Sequence, residues 1–82
     1  MVKASKKLKI GNNIRRLRFD ADEMTQAELA AATGVTRQTI AAIEKARYAP
    51  TLELAFLIAD AFGKPLDAVF FREDDLRAPP EN

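Results

Sequence analysis

The stretch from Thr25 to Glu44 constrains this chain more than any other. It carries two helix-start signals, with a glycine between them. Thr25-x-x-Glu28 is a capping box. The threonine hydroxyl accepts from the Glu28 amide, and the glutamate reaches back to the Thr25 amide. Met24 just before it is placed to pack against Leu29. Ala27, Ala30, Ala31 and Ala32 favour a helix and let a neighbour approach closely. Gly34 stands where a helix end needs a left-handed residue. Thr36 is the expected cap of a second helix, ending near Lys45. In it Ile40 and Ile43 turn inward, which leaves Arg37, Gln38, Thr39 and Ala42 outward or sideways.

Two short helices joined by a tight turn, the second opening on polar side chains, form a helix-turn-helix. Its second helix is the one that enters the major groove of DNA. The residue types fit that task. Arg37 can donate two bonds to guanine and Gln38 can pair with adenine; Thr36 and Thr39 can reach phosphate or a thymine methyl. Ala42 is too short to hydrogen-bond but can lie against a methyl group. Lys45, Arg47 and Tyr48 after the helix, with Arg16 before it, are expected on phosphates, which position without reading sequence. The plainer reading of each is an exposed polar residue on a solvated helix.

Composition narrows the alternatives. The 82 residues make one domain, and 48% of them are hydrophobic, enough for a core. There is no cysteine and no histidine, so thiolate metal sites and the commonest general base are excluded. No nucleophile–base pair or glycine-rich phosphate loop stands out; no enzyme activity, metal or cofactor is expected. No apolar run approaches the roughly 20 residues of a membrane span, and no signal-peptide core follows the first lysines. The expected location is the cytoplasm. Net charge is +1 but uneven. Residues 1–19 hold Lys3, Lys6, Lys7, Lys9, Arg15, Arg16 and Arg18 with no acid. That end suits a polyanion.

The remaining pattern predicts an all-α chain: a basic arm over 1–9, a domain over 10–71 and a polar tail over 72–82. Ile10, Ile14 and Leu17 fall at helical spacing around a first helix from about Asn12 to Asp20. Thr51 caps a fourth helix, about Leu52 to Phe62, stopped by Gly63 and buried along Leu54, Ala55, Ile58, Ala59 and Phe62. A short fifth helix runs from Leu66 to about Phe70. Gly11, Gly34 and Gly63 each sit at an expected helix boundary. Apolar side chains exceed what one face of the fourth helix can hide. The surplus points to a self-association patch around Phe56, Leu66, Phe70 and Phe71. A symmetric homodimer would set two reading helices about 34 Å apart on double-stranded DNA with an inverted repeat.

Thr25-Gln26-x-Glu28-Leu29-Ala30, Gly34-Val35-x-x-x-Thr39-Ile40-x-x-Ile43-Glu44 and Pro50-x-Leu52-x-Leu54-Ala55 together resemble the Cro/phage-repressor, or XRE, family of DNA-binding domains. The resemblance covers about residues 10–71. It implies a compact five-helix bundle and a small stand-alone transcriptional regulator, with repression the default mode. It also implies that Gln26 bonds a phosphate and braces the reading helix. Glu44 would then pair with an arginine of the first helix, Arg18 or else Arg15. Family members also act as antitoxins or adaptors, which leaves a protein partner as the alternative. Two departures stand out. The link between Leu17 and Gln26 is one residue longer than the family pattern. Ala46 also replaces the glycine that follows the second helix of the motif, where a left-handed alanine costs on the order of 1 kcal/mol.

Overall fold

A computed structural model describes residues 8–73. Lys3, Lys6 and Lys7 of the expected arm, and residues 74–82 of the expected tail, lie outside the described residues. The order is β1 (Ile10–Asn12), α1 (Ile14–Asp20), α2 (Gln26–Thr33), α3 (Arg37–Glu44), α4 (Leu52–Phe62), α5 (Leu66–Val69) and β2 (Phe70–Arg72).

Three helices start on threonines. The hydroxyls of Thr25, Thr36 and Thr51 accept from the amides of Glu28, Thr39 and Leu54, at 3.0, 3.1 and 3.1 Å. Glu28 closes the capping box by accepting from the Thr25 amide at 2.9 Å. Each cap satisfies an amide that the first helical turn leaves open.

The helix ends are equally specific. Gly63, at φ 64°, closes α4: its amide donates to the Asp60 carbonyl and the Lys64 amide to that of Ala59, both at 3.0 Å. Ala46, at φ 59°, closes α3 in the same way. Its amide donates to Ile43 at 2.9 Å, and the Arg47 amide to Ala42 at 3.0 Å. The left-handed conformation is therefore kept although the glycine is not. The connection after α1 uses two more such residues, Asp22 (φ 62°) and Glu23 (φ 59°). Their acidic side chains leave the turn solvated and exposed.

The core takes one or more residues from every helix. Ile14, Leu29, Ala30, Ile40, Ile43, Leu54, Ile58, Ala59 and Val69 form one buried cluster. Leu17, Met24, Phe62, Leu66 and Phe70 pack against it from the side.

The chain is not all-α. Ile10–Asn12 pairs antiparallel with Phe70–Arg72, with Ile10 opposite Arg72, Gly11 opposite Phe71 and Asn12 opposite Phe70. The Glu73 amide extends the ladder to the Lys9 carbonyl at 2.8 Å. Two expected helix boundaries move as a result. Helix α1 starts at Ile14 rather than near Asn12, and α5 ends at Val69 because Phe70 is extended. Ile10 and the two phenylalanines suit a pleated ribbon. Gly11 is not a helix boundary either. It lies inside the strand, where a Cβ would come within 2.5 Å of the Phe71 ring and 2.8 Å of the Glu73 carboxylate. Its bare Cα is what lets the ring lie across β1.

Candidate nucleic-acid interface

Helix α3 is set by its inward pair. Ile40 and Ile43 are buried, which fixes the rotation of the helix. Gln38, Ala42 and Lys45 then share the opposite stripe, at spacings of four and three residues. Thr36, Arg37, Gln38 and Lys45 are exposed, and Thr39 and Ala42 are half-buried. The Gln38 side chain makes no hydrogen bond to another described residue, and Gln38 is exposed. The Thr36 hydroxyl is engaged in the cap and lies 3.0 Å from that of Thr39.

The helix is held from behind by an ion pair. Arg18 Nε donates to Glu44 Oε2 at 2.6 Å and Arg18 Nη2 to Glu44 Oε1 at 3.2 Å. The third arm, Nη1, donates to the Met24 carbonyl at 2.8 Å. One guanidinium thus ties α1, the link before α2, and the last turn of α3. Arg15, the other candidate partner, is exposed.

Gln26 stands in the first turn of α2 and bridges two residues of α3. Its Nε2 donates to Glu44 Oε1 at 3.2 Å, and its Oε1 accepts from Arg37 Nη1 at 3.3 Å. The amides in the first turn of α2 lie at the same end, which gives that corner a partial positive charge.

The flanking cations are arranged loosely. Lys45, Arg47 and Tyr48 follow the end of α3 and are exposed. Arg16 is exposed and 3.9 Å from Asp20, a contact worth little in water. Among the four residues of the apolar patch, Phe56 and Phe71 are exposed, whereas Leu66 and Phe70 are half-buried against the core.

A family model described as Helix-turn-helix matches residues 14–69. The chain belongs to the XRE-type helix-turn-helix family. Relatives of this helix-turn-helix protein include an uncharacterized HTH-type transcriptional regulator of Methanocaldococcus jannaschii. It is 54% identical over 52 residues, covering 63% of this chain and 79% of the relative. Another, from Methanothermobacter thermautotrophicus, is 51% identical over 53 residues, 63% of this chain and 77% of its own. A third, YgzD of Bacillus subtilis, is 47% identical over 51 residues, 62% of this chain and 77% of its own. The family match and these relatives support a role in DNA-binding transcription regulation. No helix among the described residues is long and apolar enough to cross a membrane.

One residue of this helix-turn-helix domain escaped the sequence reading. Asn12 Nδ2 donates to the Ile43 carbonyl at 2.9 Å, while its Oδ1 accepts from the Ile14 amide at 3.1 Å. It therefore joins the last turn of α3 to the first turn of α1. The N-cap position of α1 is Asn13, whose side chain makes no capping bond, and the Asn12 oxygen serves the first helical amide from one position further out. The bond to Ile43 crosses 31 positions of sequence and has no local signature.

Proposed function

We propose that this chain is a sequence-specific regulator of transcription that reads the major groove with α3. Arg37 and Gln38 contact base edges, with Thr36, Thr39 and Ala42 beside them. Gln26, Arg16, Lys45, Arg47 and Tyr48 contact phosphates. The observation that carries this reading is the pose of α3. Its first turn presents Arg37 and Gln38 to solvent, while Ile40, Ile43 and the Arg18–Glu44 pair hold its other side. Repression follows from simple occupancy, since a bound domain blocks polymerase without further machinery.

The reading includes a homodimer on an inverted repeat. Leu52 and Phe56 support it: they lie one turn apart on α4 and are 67% and 49% exposed. Two apolar groups of that size in water favour a covering surface. Selection of duplexes from a random-sequence pool tests the proposal. Enrichment of two inverted half-sites about one helical turn apart is the expected result. A pool that stays random through repeated rounds contradicts it.

A protein partner is the second reading, in the manner of an antitoxin or adaptor. Phe19 favours it, being 69% exposed on α1, outside the patch on α4. Co-purification of a defined partner together with an unenriched pool would select this reading over the first.

A further inference from the structure

Arg37 and Glu44 stand at opposite ends of α3, two turns apart on one stripe of its surface. The short Ala41 lies between them on the same stripe. The Gln26 side chain, coming from α2, bonds to both ends. The direction of its amide is not free. A carboxylate only accepts and a guanidinium only donates. With Glu44 in place, one orientation satisfies both neighbours. The NH2 faces Glu44 and the carbonyl faces Arg37. The flipped amide sets oxygen against carboxylate and NH2 against guanidinium. Glu44 itself is clamped by Arg18.

The geometry points to Glu44 as a positioning residue for base reading: acting through the Gln26 amide, it fixes the direction of the Arg37 guanidinium. This rests on the reading of α3 as the DNA-contacting helix. The Gln26–Arg37 bond is long and partly in water, so it adds little stability. Its effect is on a long side chain whose ordering otherwise costs affinity when it meets a base. Glu44→Gln breaks the logic of the chain. The new NH2 takes either the Oε2 position, facing Arg18 alone, or the Oε1 position, facing Arg18 and Gln26 together. In either position it sets donor against donor at Arg18. In the Oε1 position it also turns the Gln26 amide over and places an NH2 against Arg37.

The test is a double-variant cycle on the whole chain, using a duplex enriched from a random pool and its single-base-pair variants. Binding and melting temperature are measured for the wild type, Glu44→Gln, Arg37→Ala and the pair together. Arg37→Ala identifies the base pair that Arg37 reads. Glu44→Gln is expected to cut discrimination at that pair by roughly fivefold or more and to leave the other pairs unchanged. In the Arg37→Ala background it should cut nothing further. Losses that multiply in the double variant overturn the relay while leaving Arg37 as a reader. No base preference lost in Arg37→Ala overturns the reading on which the relay rests. Where Glu44→Gln melts too low to assay, Gln26→Leu takes its place in the cycle, because it removes both amide bonds and leaves Arg18 and Glu44 together. Loss of the Gln26 phosphate contact then weakens all duplexes alike, so only discrimination is scored: a loss confined to the Arg37 pair is expected, and unchanged discrimination there, or an equal loss at other pairs, overturns the relay.

Discussion

Arg18 and Glu44 meet edge-on, at 2.6 and 3.2 Å, with side chains only 17% and 9% exposed. An acid on the last turn of a helix proposed to face DNA would repel phosphate unless neutralised, and here a guanidinium from α1 does that. Burial makes the pair sensitive to loss of either member. The remaining charge is left with little water and no counter-ion. Glu44→Ala is expected to cost on the order of 3 kcal/mol of stability. Thermal or urea unfolding measures it. An unchanged melting temperature would show that the pair does not hold α1 to α3.

Ala46 repeats the backbone bonds of Gly63 but carries a Cβ that the left-handed region disfavours. Ala46→Gly should therefore stabilise the protein by up to about 1 kcal/mol, by relieving that strain. The same change at an ordinary helical alanine, such as Ala31, should destabilise by a similar amount. Differential scanning calorimetry of the two variants reads opposite shifts. A lower melting temperature for Ala46→Gly contradicts the assignment of strain.

Asn12 serves two helices at once. Asn12→Ala leaves the Ile14 amide without its acceptor and takes one of two donors from the Ile43 carbonyl, which keeps the Ala46 amide. The expected cost is about 1–3 kcal/mol. Amide exchange should quicken in α1 and in the last turn of α3 together. Faster exchange confined to α1 would mean that Asn12 acts on α1 alone.

Much of the domain is legible in local sequence because its signals are local. Thr25, Thr36 and Thr51 announce helix starts, Gly34 and Gly63 announce helix ends, and the isoleucines of α3 fix its inner face. The β-ribbon is illegible for the opposite reason. Each strand has three residues, and its partner lies at the far end of the domain. Ile10 also falls in phase with Ile14 and Leu17, so periodicity draws it into the helix. Gly11 resembles a helix stop, and only the Phe71 ring across the ribbon explains it. Ala46 shows a further limit. Its left-handed backbone goes with the closing amide bonds to Ile43 and Ala42 and is not a preference of the residue. In the proposed interface, residue types suggest which side chains suit DNA. The Gln26 bridge between Arg37 and Glu44 requires the helices to be assembled first.

Lys45 and Arg47 differ from Gln38 in what they should do to binding. Lys45→Ala and Arg47→Ala are expected to weaken all duplexes alike. Each should flatten the plot of log affinity against log salt by about 0.9. Titrations at several salt concentrations on enriched and scrambled DNA measure this. A loss confined to the enriched duplex would place the altered residue on a base instead of a phosphate.

The central claim is that the first turn of α3 reads bases, and Gln38 is its most direct probe. Fluorescence anisotropy of wild type and Gln38→Ala, on the enriched duplex and a scrambled one, compares specific with general binding. The account predicts a loss of about 1–3 kcal/mol on the enriched duplex and almost none on the scrambled one, with melting temperature unchanged. Equal losses on both duplexes, or no loss on either, would contradict base reading by α3.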